Sequence, residues 1–546
     1  MARRATARRA RLATDQGAAH LTIVAAPEET PPERRVLDVV GERLQPAFSR
    51  YGYALVAAGF CTALFVRFWH LNAEGFNSDE AVYAGQGAAI ANDPQLTPFF
   101  PVFRAHPLLF QTFLAIGYRL GGGDLMARSF SAAFGVGTIL LTFAAARLLY
   151  GRRVAVIAAL LIGLMPYDVV VSRQVLLDGP MTFFATLSLF LVALYATSGR
   201  RAWLYAAGAA MGLTVLSKET SVLVVGSLFV FFALSPEVKT RTRDLVYAGG
   251  LMAAVTLTYP LTLRLAGSGR SGQNYLAWQL FRRPNHEWSF YPTSVPEAMG
   301  PAVVIVALAG LWILRRKTTW RETLLLSWII VPAVFFQLWP VKGFQYLLPT
   351  APPVAILCAR MLGLWRPKGF ALRRVQLNGR FAVGALTVAV AASLAVASWQ
   401  RIQPSKSGTF LAGSGGIPGG RELGGWIKGH VPRGAEFLAI GPSMANIVSF
   451  YGHRKTYGIS VGPNPLRRNP AYEPIGNPDL AIRRNEVQYL VWDAFSAART
   501  SFFSNVLLRY ADRYHGRIVH TEAVKVRTKT GAVVERPLIL VYEVHG

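Results

Sequence analysis

The chain is short of charge. Of its 546 residues only 16% are Asp, Glu, Lys or Arg, where a soluble protein carries about a quarter. Acids are scarcer still, 29 against 57 basic residues. The deficit falls in long apolar runs, which excludes an ordinary soluble fold and predicts a polytopic α-helical membrane protein. Cysteine is almost missing: Cys61 and Cys358 are the two present, both inside expected spans, so no disulfide framework is indicated. The C-terminal part has neither a glycine-rich nucleotide fingerprint nor metal-ligand spacing. The N-terminus has charge but no apolar core until about residue 51. The run that begins there is too long for the apolar part of a signal peptide, so a cleavable one is not expected.

What charge there is carries information. The net charge is +28, and Arg and Lys sit mainly in short loops between apolar runs. That is the orientation signal of an inner-membrane protein rather than a nucleic-acid footprint. Residues 1–50, rich in Arg and Ala, read as a disordered basic cytoplasmic tail. A first span runs from about Tyr51 to His70, with Arg67 near its outer end, where it can snorkel. The run Leu108 to Leu120 is too short for a comfortable crossing and reads as an interfacial or re-entrant helix. If it crossed, Arg152 and Arg153 would lie outside, with every later basic loop on the wrong side. Further spans are expected at 127–149, 153–171, 179–198, 202–217, 220–235, 245–265, 298–314, 323–340, 344–363 and 381–399, about eleven in all. The N-terminus is then cytoplasmic and the C-terminus outside, in a plasma membrane of bacterial type. The outer loop 266–297 breaks the charge rule with Arg270, Arg282 and Arg283, and binding an anion is one reason for cations there.

Residues 400–546 change character. A Gly-rich entry at 413–420 leads to helices near 421–430, 443–451 and 500–514. Strands are expected at 435–440, 487–492, 517–525 and 537–545. This alternation predicts a small extracytoplasmic α/β domain. The Pro- and Asn-rich stretch 463–478 reads as a long loop, the kind of segment that often carries binding.

Adjacent acids, Asp79 and Glu80, follow the first span directly. Ser78-Asp79-Glu80 suits a helix N-terminus on local chemistry alone. The same topology also puts Asp178 at the outer end of another span, with His106 between them. Two carboxylates converging on one aqueous pocket are what acid/base chemistry needs. Cations at the outer ends and loops, Arg104, Lys218, Arg270 and Lys342, suit an anionic leaving group. Each also has a local explanation: Lys218 as a span-end anchor or partner of Glu219, Lys342 as an interface marker, and His106 before Pro107 as a structural residue.

At these residues the chain resembles the GT-C membrane glycosyltransferases of the protein O-mannosyltransferase and aminoarabinose transferase type. The matching pieces are Phe76-Asn-Ser-Asp-Glu-Ala-Val-Tyr-Ala, Ala105-His-Pro-Leu-Leu-Phe, Tyr150-Gly-Arg-Arg, Ser172-Arg-Gln-Val-Leu-Leu-Asp-Gly-Pro, Leu216-Ser-Lys-Glu and Lys342-Gly-Phe-Gln-Tyr-Leu-Leu-Pro. Together they cover roughly residues 50–360. The resemblance implies a GT-C fold with two interfacial helices in the first outer loop and a polyprenyl-phosphate sugar as donor. It implies Asp79 as catalytic base, Glu80 as its assistant or an acceptor contact, and Asp178 as the second-loop acid. Arg104, His106, Lys218, Arg270 and Lys342 become candidates for substrate and phosphate. The chain departs from the family at His106-Pro107-Leu108, where His-Pro-Pro is common. Ala105 and His106 stand where the aminoarabinose branch has an acid and a Lys, which speaks against that donor and against a metal site built on that acid. Whether a divalent cation takes part is left open, as are the acceptor (protein, lipid or envelope glycan) and the sugar. The rival class is a transporter or flippase, which usually carries acids or broken helices at the midplane. The expectation here is that no acid lies deep in a span.

Overall fold

A computed structural model describes the chain outside residues 1–35, 104–105, 269–273, 276–277, 280, 366–369, 373–374, 378, 404–415, 465–467 and 528–531. Two compact units are present, Met1–Leu55 and Val56–Gly546. Of the expected tail, residues 1–35 lie outside the described part. From Val36 the chain is already helical (α1, Val36–Phe68), so helix begins well before residue 50.

Each of the eleven expected spans has a helical counterpart. Among the described residues, six helices are long and apolar enough to cross a membrane: Asp124–Tyr150 (α4), Asp178–Ser198 (α7), Thr242–Leu265 (α10), Trp320–Leu338 (α13), Phe344–Leu364 and Phe381–Arg401. Two bent pairs raise the number to eight. The expected count of eleven is therefore met in helices but only partly in full-length apolar spans: Gly52–Phe68 and Glu219–Leu234 are shorter apolar helices, and Arg201–Ser217 (α8) has 17 residues. Between the first helix and Asp124–Tyr150, the described residues contain two helices, Ser78–Ile90 (α2) and Leu109–Arg119 (α3).

The breaks have identifiable causes. Arg152–Leu164 (α5) and Pro166–Ser172 (α6) meet at a 57° bend. Pro166 has no N–H to donate and its ring crowds the preceding turn. The carbonyls this frees are taken up from outside the helix: the Ser398 hydroxyl donates to Leu164 O at 2.7 Å, and Arg67 Nη1 donates to Gly163 O at 2.5 Å. Arg67 is fully buried and pairs with Asp168 of α6. One expectation is corrected here. Arg67 does not snorkel, because the bend creates orphan carbonyls that a buried guanidinium satisfies, and Asp168, near the end of the expected span, neutralises it. The second bend, 97° between Phe290–Met299 (α11) and Pro301–Ile313 (α12), turns on Gly300 at φ +87°, a left-handed conformation that side chains disfavour.

The C-terminal region is a five-stranded mixed sheet in the order β4-β3-β5-β7-β6, where β3 is Phe437–Ala439, β4 Thr456–Gly458, β5 Tyr489–Asp493, β6 Arg517–Arg527 and β7 Val533–Glu543. β3 runs parallel to β4 and β5, while β7 is antiparallel to β5 and β6. Helices Gly420–His430 and Ser501–Arg513 match the expected elements. The short edge strand β4 and the antiparallel pair Phe370–Leu372 (β1) and Val375–Leu377 (β2) were not foreseen. Leu438, Ile440, Leu490, Leu507 and Val544 form the core of one face of the sheet, buried against the Ser501–Arg513 helix.

Candidate active site

The N-terminus of α2 is built by a capping box. The Asn77 side chain accepts from the amides of Asp79 and Glu80, and Glu80 reaches back to the Asn77 amide. This turn aims two adjacent acids in different directions. Glu80 is fully buried. Its carboxylate accepts from Asn77 N and Nδ2, Arg128 Nε and Nη2, and Val175 N at 2.8–3.1 Å. Asp79 is half-buried and lines a cavity of about 410 Å3. Among the described residues its carboxylate has no hydrogen-bond or ion-pair partner.

Several parts of the chain meet around that cavity. α2 contributes Asp79 and Tyr83, and the segment before α3 contributes His106. The turn after α8 contributes Lys218 and Glu219, the segment before α11 contributes Tyr275, Trp278 and Arg282, and the C-terminal region contributes Ser460, Arg468 and Tyr472. Asp178 stands behind this lining. Its carboxylate takes Lys218 Nζ at 2.8 and 3.0 Å, both side chains buried. The Lys218 ammonium also sits over the Tyr346 ring, 4.6 Å from its centre. His106 is held at both nitrogens, Nδ1 2.8 Å from Glu219 Oε2 and Nε2 3.2 Å from the Tyr275 hydroxyl. Arg282 stacks on Trp278 at 4.5 Å.

The environment of Asp79 perturbs its carboxylate. Burial raises its pKa above the ordinary carboxylate value, the Lys218 and His106 charges pull it down, Glu80 pushes it up, and Arg282 pulls it down again. Because burial outweighs the cations, the carboxylate is a stronger proton acceptor than one in water. Burial likewise raises Tyr83 and Tyr275 well above the ordinary phenol value, so both hydroxyls stay protonated as donors.

Of the residues expected to form the site, Asp79, His106 and Lys218 line the cavity, and Asp178 touches it through Lys218. Glu80 is not brought to it: five donors hold its carboxylate away from the cavity, which makes it an anchor of the loop. Lys342 is not brought to it either. It is buried, and its ammonium donates to the carbonyls of Gln337 and Trp339 at 3.1 and 3.2 Å. Arg104 and Arg270 lie outside the described residues. Lys218 pairs with Asp178 rather than Glu219, because Glu219 is engaged by His106. Tyr275 and Arg468 escaped the sequence reading, and Tyr83 and Glu219 entered it only within motifs, Glu219 also as a possible partner of Lys218. Arg282 was visible only as a cation in a loop that should have had few. No cluster of three His, Cys, Asp or Glu that could hold a metal occurs among the described residues. With Asp178 neutralised by Lys218 and Glu219 paired to His106, the donors present do not form a metal site.

The helical core with its C-terminal sheet has the GT-C fold. The structure of ArnT from Cupriavidus metallidurans in the apo state matches with a TM-score of 0.65 at 17% identity, over 91% of this chain and 98% of that one. An Archaeoglobus fulgidus oligosaccharyltransferase matches with a TM-score of 0.57 at 17% identity, over 90% of this chain and 74% of that one. At this identity the likeness is one of fold. Residues 105–263 match the family model described as dolichyl-phosphate-mannose-protein mannosyltransferase. An undecaprenyl phosphate-alpha-4-amino-4-deoxy-L-arabinose arabinosyl transferase of Serratia proteamaculans is 29% identical over 294 residues, 49% of this chain and 52% of its own length. The chain is similar to these GT-C membrane glycosyltransferases, as its motifs indicate, and it spans 60% or less of the length of the curated relatives it matches.

Proposed function

We propose that the protein transfers a sugar from a polyprenyl-phosphate donor to an acceptor hydroxyl at the outer face of the membrane, with inversion at the anomeric carbon. The observation that carries this reading is the cavity of Asp79. It holds one carboxylate without a partner among the described residues, with Lys218, Arg282 and Arg468 around the same space. Transfer from a phosphate ester needs a base for the acceptor and cations for the departing anion, and needs no general acid.

In this scheme Asp79 takes the acceptor's O–H proton as the acceptor oxygen forms a bond to the anomeric carbon. The bond from that carbon to the phosphate oxygen breaks, and its electron pair leaves with polyprenyl phosphate. Arg282 and Arg468 neutralise the phosphate, and Arg suits it by its planar fork. Lys218, fixed by Asp178, adds charge at a set position. Asp178 is thus a positioning residue, and the His106–Glu219 pair shapes the wall beside Asp79. A second structure of ArnT from Cupriavidus metallidurans, bound to undecaprenyl phosphate, supports a lipid phosphate as donor. Helices α2 and α3 would lie along the interface, with the C-terminal sheet on the same outer side.

The transporter reading gains an acid within a span in Asp168, but Arg67 closes it in a buried pair. The deciding experiment offers the protein in nanodiscs a panel of polyprenyl-phosphate sugars, with Asp79→Asn in parallel. Turnover of a donor that the variant loses supports the proposal. Turnover surviving Asp79→Asn would remove the base assignment, and absence of both turnover and donor binding would remove the class.

A further inference from the structure

The segment Leu71–Glu80 that presents Asp79 is gripped from two sides. From the helical core, Arg128 donates to Leu71 O, Glu74 O and Gly75 O at 2.7–3.0 Å and holds Glu80. The other grip comes from the C-terminal region. Arg421 donates to Asn72 O and Oδ1 and to Glu74 O at 2.7–3.1 Å. Asn446 Nδ2 donates to the Ser78 hydroxyl at 2.9 Å. The Tyr451 hydroxyl accepts from the Phe76 amide at 2.7 Å and donates to Asp124 Oδ2 at 2.6 Å.

The approach is close enough to constrain both partners. A Cβ on Gly75 would stand 3.2 Å from Arg421 Cβ. Behind Tyr451, a Cβ on Gly424 would meet Tyr451 Cβ at 2.1 Å, so the Gly420–His430 helix backs it directly. Tyr451 lies on a π-helical turn, Val448–Gly452, that ends at His453 with φ +52°. Such turns cost stability and cluster where a side chain must be aimed. Burial, then the Asp124 carboxylate, raises the Tyr451 hydroxyl above its ordinary pKa, so it keeps the proton it gives to Asp124. Phe450 packs on Phe76 and Phe100 at 5.3 and 6.0 Å between ring centres.

We infer that the C-terminal domain completes the active site by fixing the backbone that aims Asp79, with Tyr451 and Asn446 as positioning residues. This rests on the reading of Asp79 as catalytic base. The contacts supply the last donor and acceptor of the loop just before and just after Asn77, the residue that caps the turn carrying Asp79. Release of the Phe76 amide would let that turn rotate without unfolding either domain, since the Arg128 grip remains.

The test compares wild type, Tyr451→Phe and Asn446→Ala in nanodiscs by hydrogen exchange over residues 72–82 and by steady-state sugar transfer. Loss of one buried hydrogen bond is worth roughly tenfold in a local opening equilibrium. The expected result is about tenfold faster exchange confined to this segment, with kcat down about tenfold and donor KM within about twofold. Unchanged exchange in both variants would overturn the inference, as would faster exchange with unchanged kcat. Loss of protection throughout the chain would also overturn it, because the residues would then be general supports. Failure of the function itself is read separately: wild type that neither turns over nor binds any donor refutes the transferase reading, while exchange still reports whether the domain holds the loop.

Discussion

Asp79 and Glu80 are neighbours with opposite surroundings, so the same chemical change at each should have opposite consequences. Glu80→Gln replaces one acceptor oxygen with an NH2 in a site of five donors. If the remaining oxygen keeps the Arg128 Nε and Val175 bonds, the amide faces Asn77 N, Asn77 Nδ2 and Arg128 Nη2; flipped, it faces Arg128 Nε and Val175 N. In either pose donors confront donors, and the Arg128 guanidinium, 4% exposed, loses its counter-charge. Breaking a buried pair this way costs about 3–5 kcal/mol. Asp79→Asn removes a charge that burial already disfavours and strands no partner among the described residues, so stability should hold within about 0.5 kcal/mol or rise. Activity should run the other way. Loss of a general base costs about 100- to 10,000-fold, whereas folded Glu80→Gln molecules keep their base and should lose about tenfold or less through loop disorder. The assay is thermal unfolding in one detergent alongside transfer rates per folded molecule. Glu80→Gln at wild-type stability with a rate as low as Asp79→Asn would refute the division of labour.

The rate of transfer should fall as pH drops through the pKa of Asp79, because the base acts deprotonated. As that pKa is raised, the acid limb of kcat/KM should lie above the ordinary carboxylate range and disappear in Asp79→Asn. Arg282→Ala and Arg468→Ala should each lower kcat/KM for the donor by about 10- to 100-fold, the worth of one charge-assisted bond to phosphate; a Lys at either place should restore it only in part. Arg67→Met should strand Asp168 in the bent span and cost about 3–5 kcal/mol, while Asp168→Asn with Arg67→Met recovers most of it, a non-additivity measurable by unfolding of the single and double variants.

Helices were legible because an apolar run of span length has few other outcomes, and the strands at 487–492 and 517–525 because β-branched and aromatic residues cluster between turn signals. The break at Pro166 was not legible in the same way. Residues 153–171 read as one apolar run, and Asp168 near its end drew no notice, since nothing local shows that the freed carbonyls of Gly163 and Leu164 are met by Arg67 and Ser398, which belong to other helices. β4 is three residues long, too short to carry an alternation. Its place at the edge is set by pairing with β3.

The site divides along the same line. Spacing shows which residues fall at the ends of spans or between them, and that was enough to single out Asp79, His106 and Lys218, which the structure brings to one cavity. It does not show which charges cancel. Asp79, Glu80 and Asp178 are equivalent on paper, three acids at helix starts near one face. Arg128 takes Glu80 from 48 positions away, Lys218 takes Asp178 from 40, and both cations are themselves buried. What remains is one acid with no partner among the described residues. The catalytic role proposed for Asp79 thus follows less from its own motif than from the two cations that neutralise the other acids, and a change at either cation should redistribute charge around Asp79 without touching it.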